Sequence, residues 1–281
     1  MKNSLSFSTS PLTRISNGKY YDLESTFKVM EKLWIFSVIH GFEFQHLAEW
    51  DGMSPPRDND PRYDRYGAWK KSDKYTTEEI AEKINLLRIP ILSIHGNRDI
   101  GVLLCSDKKV DIKRAERLII DAINLAKKVS AKICVFHLWD TNNENFDPLY
   151  QKEIINKIAN NFHRIQLSVE NIPTQLTDFT PFELVKMHNW VTLDLRWAGL
   201  YDELKKFSTL KDKIVNVHIR GELVETEWRL KESPFTVYEA LDIIINKWNY
   251  KGLLTFEPEG GLYGASWENL IAAIESIRYR Y

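Results

Sequence analysis

Gln166-Leu167-Ser168-Val169-Glu170-Asn171 is a short apolar run that ends abruptly in a carboxylate. It reads as a buried strand delivering an acid to its C-terminal end. The pattern recurs downstream: Val191-Thr192-Leu193 ends at Asp194, Ile214-Val215-Asn216-Val217 at His218, and Leu253-Leu254-Thr255-Phe256 at Glu257. Short β-branched and apolar runs suit strands buried on both faces. A parallel sheet presents its functional groups just beyond the carboxyl ends of its strands. The four runs therefore predict one mouth shared by Glu170, Asp194, His218 and Glu257, with a divalent metal ion between them.

Working outward, the rest of the chain alternates in the same way. Leu5–Ser8 predicts a first strand, and Phe27, Met30, Leu33 and Trp34 recur at helical spacing within Asp22–Val38. Gly41–Gln45 predicts the second strand, and Thr76-Thr77-Glu78-Glu79 a capping box in front of Ile80, Ile84 and Leu87. Strands ending at His95 and His137 precede helices over Ile112–Lys128 and Leu149–Phe162. Thr180-Pro181-Phe182-Glu183 combines an N-cap, a proline at the first helical position and a capping-box acid. Further helices are predicted over Tyr201–Phe207, over Phe235–Trp248, and from the N-cap Ser266 through Ile277. Eight strand and helix repeats without a break in composition predict an α/β chain, residues 1–281 forming a single (β/α)8 TIM barrel. No glycine-rich phosphate or dinucleotide loop competes with that reading.

Ala48–Tyr75, rich in Pro, Asp, Arg and aromatics, is too long and polar for a routine connection. It follows the second strand, so it is expected as a long loop over the C-terminal mouth, either a lid or a mobile insertion. The chain has 281 residues, 43% of them hydrophobic and 27% charged, with a formal net charge of −1. That balance supplies no global field for nucleic acid. There is no apolar leader segment and no run of the ~20 apolar residues a membrane span needs, so a cytoplasmic protein is expected. Cys105 and Cys134 are isolated in sequence and read as reduced thiols.

Three carboxylates and one imidazole make a mainly oxygen-donor set. It suits one divalent cation, with Mn2+ first and Co2+, Mg2+ or Zn2+ as alternatives. Such an ion polarises a substrate carbonyl and stabilises the enediolate formed when the neighbouring C–H is lost. Glu170 and Glu257 come from different parts of the rim and are placed to exchange the proton as an acid and base pair. His95 and His137 reach the same mouth as substrate contacts, second metal ligands or structural groups, and His46 lies just beyond the second strand. Arg196, Trp197 and Arg220 are candidate substrate contacts, as are Trp50, Trp69, Trp139 and Trp228. His40, His163 and His188 read as structural or surface groups.

Glu170-Asn171, Asp194, His218 and Glu257, with His95 and His137, resemble the xylose isomerase-like TIM-barrel superfamily. That superfamily includes sugar isomerases and epimerases, inosose dehydratases and AP endonucleases of family 2. The resemblance implies a cation held by Glu170, Asp194, His218 and Glu257, and in the ketose epimerase branch Glu170 and Glu257 as the acid–base pair. It also implies a sugar, cyclitol or sugar phosphate substrate and a homodimer. Three departures stand out. Trp197 takes a place where epimerases and endonucleases carry histidine. His218-Ile219-Arg220-Gly221-Glu222 replaces the usual H-I-G-E run. No D-x-H pair follows the seventh strand, which argues against the endonuclease chemistry. The expected activity is a metal-dependent sugar isomerase or epimerase. The alternatives are a cyclitol dehydratase, a disfavoured phosphodiester hydrolase, and a sugar-binding barrel without turnover.

Overall fold

The computed structural model describes residues 3–57, 64–259 and 262–281. Its strands are β1 Ser4–Ser8, β2 Gly41–Gln45, β3 Ile91–His95, β4 Ile133–Phe136, β5 Gln166–Glu170, β6 Trp190–Asp194, β7 Ile214–Ile219, β8 Glu222–Val224, β9 Glu227–Arg229 and β10 Leu253–Phe256. Eight of them close a barrel in the order β1-β10-β7-β6-β5-β4-β3-β2, and β8 and β9 form a separate antiparallel hairpin. Every barrel pairing is parallel. The fold is thus the (β/α)8 barrel expected from the strand and helix alternation.

Period-two alternation explains how nearly continuous apolar strands still carry a polar site. Phe42, Phe44, Leu167, Val169, Val191, Leu193, Val217, Leu254 and Phe256 are buried in the main core with the surrounding helices. The alternate positions meet one another inside the barrel. Ile133, Val135, Val215 and Leu253 form a small separate apolar cluster. Further along the strands come polar contacts between strands. Ser168 Oγ lies 2.6 Å from Thr192 Oγ1, and Thr255 Oγ1 donates to Asn216 Oδ1 at 2.9 Å.

Several boundaries differ from expectation for identifiable reasons. No helix spans Tyr201–Phe207. Asp194 accepts from the backbone N–H of Arg196 and Trp197, so the helix starts at once as Leu195–Leu200, and only a 3-10 turn follows at Lys206–Leu210. The helix expected from Asp22 is capped there but stops at Ile35, the one expected over Ile112–Lys128 starts at Lys109, and the one expected to reach Phe162 ends at Ala159. Thr180 does cap a helix, but it is only Pro181–Val185, and the Thr180 hydroxyl also donates to Glu203. Thr236 and Glu239 form an unforeseen capping box, after which Asp242–Lys247 widens into a π-helix.

Ala48–Tyr75 is not a plain loop. It carries a 3-10 turn at Ala48–Trp50 and a helix at Arg65–Lys71, while its residues 58–63 lie outside the described residues. A buried charge network fastens it to the barrel. Arg65 donates to both carboxylate oxygens of Glu49, at 2.7 and 3.1 Å, and to Asp99 at 3.3 Å. Arg117 reaches Asp51 at 2.7 Å. Among the described residues no helix is long and apolar enough to cross a membrane.

Candidate active site at the barrel mouth

Glu170 closes β5, Asp194 closes β6, His218 is the next-to-last residue of β7, and Glu257 follows β10. These four strands are consecutive around the barrel. In register, Glu170 lies opposite Thr192, and both Asp194 and Thr255 lie opposite His218. Adjacent strand ends at ~4.8 Å spacing therefore bring the four side chains to one point. One ligand atom from each lies within 4.8 Å of all the others. Coordination at roughly 2.0–2.6 Å per ligand fits a single cation in such a cage.

The hydrogen bonding also fits a cation. His218 Nδ1 is 2.9 Å from Glu257 Oε2 and 3.4 Å from Glu170 Oε2. Yet His218 Nδ1, Glu170 Oε1 and Glu257 Oε2 are buried and make no hydrogen bond. Buried polar atoms are normally paired. A borderline or hard divalent ion is the partner that two carboxylates and an imidazole nitrogen share best. Asp194 is held in place by Asn171, whose Oδ1 accepts from the Asp194 N–H at 2.6 Å and whose amide donates to the Asp194 carbonyl at 3.2 Å. Since Asp194 Oδ1 caps the following helix, Oδ2 remains for the cage.

The electrostatics follow from crowding these charges away from water. Burial opposes the charge on Glu170, but His137 and His218 beside it outweigh that and hold the carboxyl well below the usual range. Burial likewise works against ionised Glu257, yet Arg220 and His218 bring it down to about 2. Asp194 goes the other way. Burial raises it to about 7, with Glu170 and Glu257 adding to the effect and Arg220 opposing it. Burial disfavours the His218 imidazolium, but Glu43, Glu170 and Glu257 hold its value well above normal.

The structure brings several further candidates to the same place. His95 Nε2 and His137 Nε2 lie 3.2 and 3.0 Å from Glu170 Oε2, so these three residues form a second overlapping donor cluster. Arg220 stands within the cage wall, its Nη1 at 3.4 Å from Asp194, 3.8 Å from Glu170 and 4.0 Å from Glu257. Trp197 is flanked by the guanidinium groups of Arg196 and Arg220, 4.5 and 5.3 Å from its ring centroid, and Arg196 also pairs with Glu259. His46 lines the cavity wall, and burial pushes it down to about 4, leaving it neutral. His46, His95, His137, Arg196, Trp197, Arg220 and Glu259 border one cavity of about 420 Å³; of the four cage residues Glu257 lines it, and Glu170, Asp194 and His218 lie behind that wall.

Three of the tryptophans read as ring-stacking candidates do other work. Trp50, Trp139 and Trp228 are buried in the core, Trp50 and Trp139 donating to the carbonyls of Tyr21 and Ile172. Trp69 donates to the Asp51 carbonyl within the insertion. His40 accepts the Leu5 N–H, a structural role. A second cavity of about 240 Å³ near the starts of β5 and β6 contains His163 and His188 but none of the four cage residues.

Sequence reading missed Glu43, a fully buried carboxylate whose Oε2 is 3.2 Å from His218 Nε2. The available signal was a lone acid in the middle of Gly41-Phe42-Glu43-Phe44-Gln45, at the inward-facing parity. Gln45, two residues on, points its amide at Glu257 Oε1 from 3.5 Å.

Comparison with family models and with curated proteins by sequence returned no match. Solved structures do match in fold. D-allulose 3-epimerase from Methylomonas sp., in complex with D-allulose, superimposes with a TM-score of 0.65 at 10% identity, covering 100% of this chain and 98% of its own. L-ribulose 3-epimerase gives a TM-score of 0.63 at 15% identity, covering 100% and 93%. An AP endonuclease of family 2 from Brucella melitensis gives 0.56 at 14% identity, covering 92% and 95%. The chain therefore shares its (β/α)8 barrel fold with these structures.

Proposed function

We propose that this protein is a divalent-metal-dependent sugar isomerase or epimerase that transfers a proton next to a carbonyl. The observation that carries the reading is the convergence of Glu170, Asp194, His218 and Glu257 within 4.8 Å, three of them offering buried atoms that lack hydrogen bonds. A cation held there supplies Lewis-acid polarisation of the substrate carbonyl and offsets the negative charge that builds up on oxygen. Mn2+ heads the list of ions for this donor set, ahead of Co2+, Mg2+ and Zn2+.

The chain's own groups then handle the proton. Glu170 and Glu257 are both ionised in the electrostatics above, so either can act as base toward a carbon seated between them. Whichever takes the proton becomes an acid. Return by the same glutamate to the neighbouring carbon, with the hydroxyl proton passing to the former carbonyl oxygen, shifts the carbonyl along the chain; return to the same carbon by the opposite glutamate, protonated when it donates, inverts that carbon. Arg220 and Trp197 border the same space, one as a charged donor and the other as an apolar face for a sugar ring. The similar fold of D-allulose 3-epimerase and its bound sugar support a ketose as the substrate class.

The test is solvent exchange. With Mn2+ and a panel of ketoses in D2O, deuterium should enter the carbon beside the carbonyl. Glu170→Gln and Glu257→Gln should each abolish that. A product lighter by one water would instead identify a dehydratase. A second reading has one specific observation behind it: Arg220 already places a cation within 4.0 Å of three cage carboxylates. In that reading the guanidinium takes the place of the metal, and the barrel binds sugar without turnover.

A further inference from the structure

We propose that Glu43 is a positioning residue that fixes the tautomer of His218 and so decides which imidazole nitrogen is open to a cation. The inference rests on the metal reading above. Glu43 sits on β2, separated from β7 by β1 and β10 around the barrel, and is fully buried. Its Oε2 accepts from Ser93 Oγ at 2.9 Å and Asn216 Nδ2 at 3.1 Å, and His218 Nε2 lies 3.2 Å from it.

The donor direction is set by the network. Thr255 Oγ1 donates to Asn216 Oδ1, which turns the amide so that its NH2 faces Glu43. With Oε2 acting only as acceptor, His218 Nε2 must carry the hydrogen. The other nitrogen, Nδ1, is then the one that faces Glu170 and Glu257 and lacks a hydrogen bond. Placing a carboxylate behind an imidazole in this way locks the ring orientation and makes the opposite nitrogen more basic. A buried acid that met no such need would be costly in the interior of a barrel.

The wild-type protein and Glu43→Gln would be titrated with Zn2+, a diamagnetic probe, and the imidazole nitrogens followed by long-range 1H–15N NMR on 15N-histidine-labelled protein. The wild type should bind Zn2+ with the His218 hydrogen on Nε2 and the metal-shifted resonance on Nδ1. Glu43→Gln should weaken binding by about 10- to 100-fold, the usual range for loss of such a partner, and His218 should populate both tautomers. Ser93→Ala, which keeps the carboxylate, should retain the wild-type tautomer.

Binding unchanged in Glu43→Gln, or a His218 hydrogen found on Nδ1 and the metal on Nε2 in the Zn2+-bound wild type, overturns the inference. So does a stoichiometry of two ions falling to one in Glu43→Gln, because Glu43 would then be a ligand in the Glu43, His95 and His218 cluster. If Glu43→Gln does not fold, the wild-type nitrogen assignment alone decides. A wild type that binds no Zn2+ removes the metal reading together with the inference, whereas binding of unchanged affinity in Glu43→Gln removes only the inference.

Discussion

Replacing Arg65 by Met tests what holds the two ends of the Ala48–Tyr75 insertion together, where Ala48, Glu49 and Arg65 line the cavity. Arg65 is almost fully buried, and its guanidinium spans Glu49 and Asp99, both without solvent exposure. Removing one member of a buried pair leaves an uncompensated charge and costs about 3–5 kcal/mol. Tyr20 still donates to Glu49 at 2.9 Å, and Asp99 keeps the Arg57 N–H at 2.7 Å and the Arg114 guanidinium at 3.7 Å, which places the expected loss at the lower end, ~3 kcal/mol, with Glu49 the charge left stranded. At roughly 2–4 °C per kcal/mol for a chain of this size, the thermal midpoint should fall by about 6–12 °C. Chemical denaturation would give the free energy, and amide exchange would show the Arg65–Lys71 helix losing protection. Arg65→Met with Glu49→Gln should cost less than Arg65→Met alone, because the stranded charge leaves with its partner. A loss under ~1 kcal/mol with unchanged exchange in that helix would refute the reasoning.

Two other outcomes are expected. Metal affinity should fall as pH drops below 7. Burial raises the Asp194 carboxyl to about 7, and Glu43, Glu170 and Glu257 hold His218 well above its usual value, so below pH 7 an incoming cation must displace a proton from each, at up to about a hundredfold in affinity per pH unit; titrations at pH 6 and 8 check this, and equal affinities would count against it. Trp139→Ala should destabilise the fold by about 3–5 kcal/mol, the range for deleting a buried aromatic, while variants that stay folded keep their sugar affinity, as thermal melts and binding titrations would show.

The barrel was legible because its strands are short apolar runs that end in chemistry-bearing residues. A reader of the chain can see Gln166–Glu170 and Trp190–Asp194 as one motif repeated, and the parallel order follows from the helices between them. Local competition hid the rest. The side chain of Asp194 both faces the cage and caps a helix, so the chain turns helical at Leu195, where periodicity placed nothing before Tyr201. Tryptophan gives no sign of its orientation, and Trp50, Trp139 and Trp228 went to the core. Glu43 lay in mid-strand, where only strand parity could reveal that it faces His218 across the barrel. The partners of Arg65 are 16 and 34 residues away in sequence, a pairing no local pattern displays.

The central claim is tested most directly by measuring the divalent metal bound to protein purified without chelator and then titrated with Mn2+, beside the Glu170→Gln, Asp194→Asn double variant. The account predicts about one ion per chain in the wild type and none in the variant. A wild type that holds no Mn2+, Co2+, Mg2+ or Zn2+ would contradict it and leave Arg220 as the cation of the cage.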